Sequence, residues 1–297
     1  MNKNIQTFLA CDADYDQADL VLFGAPFDGT TSFRPGTRFG PSAIRNESFG
    51  IETYSPYCDK DLTDCRICDG GDLELPFGNT PRVLEMIRSQ TEEILNDGKK
   101  FLMLGGEHLV ALGGLEAVAD KHPDLHVIHF DAHTDLRTEY LGEELSHSTV
   151  LYHAWKLLGD GRIHQFGIRS GEKYEFEFAK EHTHLHKFDL KGFAETVQRL
   201  QGKPVYFTLD LDVLDPSIFC GTGTPEAGGI TFKELMEAIL LLHKLDIVGC
   251  DINELSPHYD HSGTSTAVAC KVTREILLQR LHNHDHRLRR RGQRSHS

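Results

Sequence analysis

Eight short apolar runs alternating with amphipathic stretches predict an α/β protein whose sheet is mainly parallel and covered by helices on both faces. Three of those runs end in carboxylates or histidines, and parallel α/β folds gather their sites at the carboxyl ends of strands. The chain, 297 residues long, can bury a substantial core, and with no internal repeat evident a single domain is expected over 1–281. Periodicity alone leaves open whether the eight strands form an open sheet or a closed barrel.

The first strand is expected at 19–23, running into a loop rich in Gly and Arg over 24–40. Pro41 suits the first turn of a short helix, where a missing N–H costs nothing. A polar segment rich in Tyr and Asp then leads to a short strand at 66–69. Thr80 and Pro81 cap a longer helix with apolar positions at Val83, Leu84, Ile87, Ile94 and Leu95, and Gly98 ends it. Strands follow at 101–104, 125–130, 162–168, 184–188, 204–209 and 246–251, with helical stretches between most of them. Thr231 and Glu234 form a T-x-x-E capping box ahead of Leu235, Ile239 and Leu242. The last helix is expected over 262–281. Residues 282–297, rich in His and Arg and poor in apolar side chains, are expected to be a disordered tail.

The formal net charge is -14, and the last eleven residues hold five arginines and no acid, which leaves 26 basic against 45 acidic residues over 1–286. A body that acidic argues against nucleic acid as a partner and favours cationic ligands by steering. No window has the length of a membrane span and the N-terminus lacks the apolar core of a signal peptide, so a cytoplasmic protein is expected. Seven scattered cysteines fit reduced thiols, Cys65 and Cys68 included, since no second C-x-x-C follows.

The chemistry converges on Asp131, His133 and Asp135, which alternate at a spacing of two just past the run at 125–130. In extended chain that spacing places all three side chains on one face. Two carboxylates and an imidazole aimed together call for a cation. A second pair at the same spacing, Asp210 and Asp212, follows the run at 204–209, and His108 closes a third run. Four carboxylates and two imidazoles are too many for one small ion that keeps a substrate position open. Two divalent ions sharing carboxylates fit the count, and oxygen-rich ligation with one imidazole per ion suits Mn²⁺ ahead of Fe²⁺, Co²⁺ or Zn²⁺. A water between two such ions becomes a hydroxide nucleophile near neutral pH, which makes metal-assisted hydrolysis the reaction class. Glu254, after the last strand, could take a cationic substrate in paired hydrogen bonds, the alternative being an N-cap or a surface acid. His147 could carry a proton to a leaving group, although a loop histidine is more often not catalytic.

Gly105-Gly106-Glu107-His108, the run 130–135, Asp210-Leu211-Asp212-Val213-Leu214-Asp215-Pro216 and Gly221-Thr222-Gly223-Thr224-Pro225-Glu226 resemble the ureohydrolase (arginase and agmatinase) family, over nearly the whole chain. Arg34-Pro35-Gly36-Thr37-Arg38-Phe39-Gly40-Pro41 and Ser146-His147-Ser148-Thr149 are most similar to its bacterial agmatinase branch. The resemblance implies a three-layer open sheet of eight mainly parallel strands and two Mn²⁺ ions per subunit. It implies that Asp131 and Asp210 bridge the ions, that His108 and Asp135 complete one, and that His133 and Asp212 complete the other. Glu254 falls on the family's guanidinium-binding acid and His147 on its proton shuttle. The bridging hydroxide would attack the guanidinium carbon, and urea would leave as the amine is protonated. A homo-oligomer, trimer or hexamer, is also implied.

Three positions depart from the family pattern. Glu107 stands where aspartate is usual and is expected to alter how His108 is held; Ser148 replaces a glycine after the histidine; Cys220 replaces a proline. The interval 136–146 lacks the Ser-Gly-Asn by which arginases read an amino acid and carries Glu139, Glu143 and Glu144. Acids around the site would repel a substrate carboxylate, which favours agmatine, hydrolysed to putrescine and urea, unless Arg137 points inward. The alternatives are a hydrolase for 4-guanidinobutyrate, guanidine or arginine, and a metal-binding relative without turnover.

Overall fold

The structure, a computed structural model, describes residues 6–279 with their side chains and the backbone of 280–294. The helix expected over 262–281 continues through the backbone of 282–294, part of the tail expected to be disordered over 282–297, and 295–297 lie outside the described residues. The main sheet uses β1 (Leu20–Ala25), β4 (Ile67–Asp72), β5 (Lys100–Gly105), β6 (His126–Phe130), β7 (Ile163–Ile168), β8 (His184–Lys187), β9 (Pro204–Asp210) and β10 (Asp246–Asn253). Its order is β4-β1-β5-β10-β9-β6-β7-β8 and every pairing is parallel. The sheet is open, as the resemblance implied, and all eight expected strands are present. A hairpin of β2 (Tyr54–Ser55) and β3 (Lys60–Asp61) lies in the polar segment. Strands of two residues leave no periodic trace to read.

Alternation along each strand builds two apolar layers. Leu20, Leu22, Leu102, Leu104, Ile128, Phe130, Phe207 and Leu209 face one side, against α1 (Gly40–Glu47), α6 (Phe193–Arg199), α7 (Phe232–Ile239) and α8 (Thr264–Arg294). Val21, Phe23, Phe101, Met103, Val127 and Tyr206 face the other, against α2 (Thr80–Asn96), α3 (Ala111–Lys121), α4 (Val150–Leu158) and α5 (Lys173–His182). The three-layer architecture follows. Thr231 and Glu234 do form the capping box of α7. The start of α2 needs a correction, because Asn79 is its N-cap and accepts from the N–H of Arg82, while Thr80 and Pro81 are already helical. None of the seven cysteines forms a disulfide, and burial pushes the Cys65 thiol up to about 11, as expected of ordinary thiols.

β5, β10, β9 and β6 are consecutive neighbours, although the chain runs from β5 through α3 to β6 before it makes the two strands between them. That crossover opens a crevice at the carboxyl ends of the four central strands.

At the opposite ends of β6, β7 and β8, buried His164 stacks on His184 at 4.7 Å and bonds His126, with Nε2 3.3 Å from His126 Nδ1. Arg162 can only donate to His126 Nε2, so His126 carries its proton on Nδ1 and His164 must accept on Nε2. Nδ1 of His164 is then left without a partner. Burial, then His184, His126 and Arg199, push His164 down to about 3. Between that value and the ordinary 6.5 the folded chain stays neutral while the unfolded chain is protonated, so stability falls as pH falls. His164→Phe is expected to lose about 2 kcal/mol less than the parent between pH 7 and 5. Thermal melts of both proteins across that range check it; parallel pH profiles would rule the role out.

Candidate metal centre

The four central strands deliver His108, three residues past β5; Asp131, His133 and Asp135, just past β6; Asp210 and Asp212, from the end of β9; and Glu254, directly after β10. Carboxylate oxygens of Asp131, Asp135 and Asp210 lie 3.0, 3.2 and 3.5 Å from His108 Nδ1. His133 Nδ1 lies 3.0 Å from Asp212 Oδ2 and 3.4 Å from Asp131 Oδ1. All six expected ligands therefore meet, and Asp131 reaches into both halves of the cluster. Asp135 and Glu254 adopt positive φ angles of 50° and 70°, strained backbone of the kind that collects at functional sites.

The donor set fits divalent cations. One ring nitrogen carries at most one proton, yet three carboxylate oxygens converge on His108 Nδ1. Separations near 3 Å are those of donors about 2.1 Å from a shared ion at right angles. Buried Asp212 Oδ2 has His133 Nδ1 beside it, at 3.0 Å, and makes no well-aligned hydrogen bond. Burial, then the charges of Asp212 and Asp131, hold Asp210 well above the usual carboxylate range, and burial and then Asp131 push Asp135 up to about 7. His108 and His133 are raised in turn: burial, the largest influence, would lower them, but the carboxylates around them prevail. Protons thus stand where cations would.

Neighbouring side chains fix the histidines. Thr208 Oγ1 donates to Asp251 Oδ1 (2.6 Å) and so accepts from His108 Nε2 (2.8 Å), which leaves Nδ1 as the atom facing the carboxylates. His129 joins the cluster and, with His108, Asp131 and Asp135, makes a group that could hold an ion. Its hydrogen bonds argue otherwise. The Gln165 amide donates to Thr134 O and to His129 Nδ1, so His129 carries its proton on Nε2 and gives it to Asp131 Oδ2 at 2.8 Å. His129, Gln165, Thr208 and Asp251 escaped the sequence reading. For His129 a signal was present, since it extends the alternation of 131, 133 and 135 by one step upstream.

Glu254 Oε1 accepts from the backbone N–H of His108 (2.7 Å), and a Cβ at Gly223 would stand 3.7 Å from Oε2. Burial, then Asp212 and Glu107, hold its carboxyl well above the usual range. His147 opens a short 3-10 turn ahead of α4, and its Nε2 lies 2.9 Å from Ser32 Oγ. Burial, then His133, push it down to about 4, so it is neutral at pH 7. Glu107 requires a correction. Its carboxylate does not hold His108 but accepts from Thr30 and Thr31.

A cavity of about 280 Å³ beside the cluster is lined by His133, Asp135 and His147 and, farther out, by Arg137, Tyr140 and Glu172. Arg137 does point inward. It lies over the Tyr140 ring at 4.7 Å and bonds Glu172 at 3.1 Å. Glu143 and Glu144 line a second cavity of about 690 Å³ that shares Ser32 and Tyr140 with the first, and Glu139 lines neither. The glutamates on the wall of the first cavity are therefore Glu172 and Glu175, which sequence spacing had not singled out.

The arginase family model matches residues 18–279. The agmatinase of Bacillus subtilis is 49% identical over 277 residues, 92% of this chain and 96% of that protein. The guanidinobutyrase of Pseudomonas aeruginosa is 34% identical, over 89% of this chain and 87% of its own. A crystal structure from Clostridium difficile, provisionally assigned as an agmatinase, superposes with a TM-score of 0.88 and 51% identity, over 90% of this chain and 98% of that one.

Proposed function

The chain belongs to the arginase family, and on that premise we propose that its centre hydrolyses the guanidinium group of agmatine to urea and putrescine. The observation that carries the reaction is the convergence of three carboxylates on one imidazole nitrogen, beside a neutral histidine and a buried acid. The 49% identity to an agmatinase over 92% of the chain supports the substrate. His108, Asp131, His133, Asp135, Asp210 and Asp212 would hold two ions, and the oxygen-rich set with one imidazole for each favours Mn²⁺. When bound, the ions supply a water acidic enough to attack a guanidinium carbon at neutral pH. The reading includes a homo-oligomer, on the family resemblance, and a cytoplasmic setting, on seven cysteines that form no disulfide. Among the described residues no helix is long and apolar enough to cross a membrane.

The chain's own groups divide the remaining work. Glu254 orients the guanidinium through its carboxylate, most strongly once the substrate's cation offsets the neighbouring charge of Asp212. His147, neutral at pH 7, must accept a proton before it can give one. It therefore collects the proton released by the attack and passes it to the departing amine, balancing agmatine and water against urea and putrescine. Arg137 in the cavity wall favours a second reading, a guanidino acid such as 4-guanidinobutyrate. The bond to Glu172 offsets that charge and supports the substrate without a carboxylate.

Urea release from agmatine, arginine, 4-guanidinobutyrate and guanidine, measured with the Mn²⁺-loaded protein and a metal-free control, tests the reading. Agmatine is expected to lead by about tenfold or more in kcat/KM, the scale of one unfavourable charge contact. A lead for 4-guanidinobutyrate would establish the second reading, and no urea from any of the four would overturn both.

A further inference from the structure

Glu107 sits next to a candidate ligand yet its carboxylate serves a different segment. Oε2 accepts from the N–H of Thr30 (2.8 Å) and from Thr31 Oγ1 (3.2 Å), and Oε1 accepts from Thr30 Oγ1 (2.6 Å). The backbone completes the fastening. Glu107 N–H donates to Phe27 O at 2.7 Å, Gly106 N–H donates to Ala25 O at 3.0 Å, and a Cβ on Gly106 would lie 2.0 Å from Phe27 O. The loop after β1 is thus pressed onto the turn after β5, in a contact only glycine at 106 allows.

The same loop holds His147 on its other side. Thr30 Oγ1, having given its one proton to Glu107, accepts from the backbone N–H of His147 at 2.9 Å. Ser32 Oγ, two residues on, reaches His147 Nε2 at 2.9 Å. One hydroxyl therefore connects a buried carboxylate to the backbone of the histidine, and the loop it anchors contacts the ring. When ionised, Glu107 accepts its bonds from Thr30 and Thr31 more strongly than a neutral acceptor would.

We propose that Glu107 is a positioning residue for the reaction: through Thr30 it fixes the loop that holds His147 in place. The inference rests on the reading of His147 as the group that moves the proton, and it adds a residue that touches neither substrate nor ion. Thr30→Val keeps the shape and removes the hydroxyl, whereas Thr30→Ser keeps the hydroxyl. Both are compared with the parent as full-length, Mn²⁺-loaded protein, alone and in a His147→Asn background.

Two readouts decide. The first is the rate at which diethyl pyrocarbonate acylates His147, followed by peptide mass spectrometry, which requires no turnover. Thr30→Val is expected to raise it about tenfold, the scale of one lost buried hydrogen bond, and Thr30→Ser to leave it near the parent rate. The second is the split between kcat and KM. Thr30→Val is expected to lower kcat by about ten- to a hundredfold at nearly constant KM. In the His147→Asn background the same change is expected to cost less than about twofold, because the two groups act as one unit. Glu107→Gln, whose NH2 must replace one of the two oxygens that accept from Thr30, is expected to repeat the pattern and serves if Thr30→Val does not fold. An unchanged acylation rate, an unchanged kcat, or equal losses in both backgrounds would overturn the proposal. A parent that releases no urea would defeat the functional reading, and the acylation rates would still decide whether Thr30 holds His147.

Discussion

Asp210→Asn is expected to reduce metal-dependent turnover by roughly a thousandfold or more while leaving the metal-free protein at least as stable as its parent. The two halves of that result have one cause. Asp210 is buried against Asp131 and Asp212, and its carboxyl is held well above the usual range by that burial and those charges. A raised carboxyl means the folded chain resists the ionised form, so stability is lost as pH rises from the ordinary carboxylate value, where the unfolded chain ionises first. Asn removes the charge. The bond that Asp210 Oδ1 accepts from the N–H of Asp212 at 2.8 Å survives, because the amide oxygen accepts equally well. With metal the sign reverses. The parent gains about 4 kcal/mol at a free metal concentration a thousand times the Kd, and the variant gains little. Melting curves with Mn²⁺ and with chelator, together with metal content per chain, check both halves. Because protons must leave His108 and the carboxylates first, the parent's apparent metal affinity should rise with pH through neutrality. A variant that retained two ions per chain and full activity would remove Asp210 from the centre.

What the sequence made legible was set by period and position. Alternation at a spacing of two showed where strands lay and which residues shared a face, and Asp131, His133 and Asp135 needed nothing more. The strands at 66–69 and 184–188, with little apolar content, were still placed by the rhythm of helices between them. What stayed hidden depends on contacts far apart in the chain. The proton on His108 is placed by Thr208, a hundred residues away, and Thr208 is committed by Asp251. Nothing local encodes either bond. The direction of Glu107 was equally unreadable, since a residue beside a ligand can turn toward it or away, and the Gly106–Phe27 contact turns it away. The supposed acids of 139–144 failed for a related reason. A loop with Leu141 at positive φ and Gly142 beside it carries Glu143 and Glu144 out to the neighbouring cavity, while Glu172 and Glu175, from the turn after β7 and the start of α5, line the first.

Glu254→Gln separates a substrate-binding acid from a structural cap. The backbone N–H of His108 donates to Glu254 Oε1, and a glutamine oxygen can accept the same bond, so a role limited to holding that turn would survive the change. The change in charge would not be tolerated by a guanidinium. Removing one partner of a buried charged contact costs about 2–5 kcal/mol, which places the loss of kcat/KM for agmatine between about thirty- and several thousandfold. Metal content is expected to stay at two ions per chain. The metal-free protein is expected to be as stable as the parent or more so, because burial and the charges of Asp212 and Glu107 already oppose ionisation of Glu254. Steady-state kinetics and metal analysis on the same preparation test the pair of claims. Full activity would reduce Glu254 to a cap on the turn after β5, and loss of metal together with activity would move it among the residues that hold the ions. Only lost turnover with metal retained assigns it to the substrate, and the unusual φ of 70° would then be the strain that aims its carboxylate into the crevice between β10 and its neighbours.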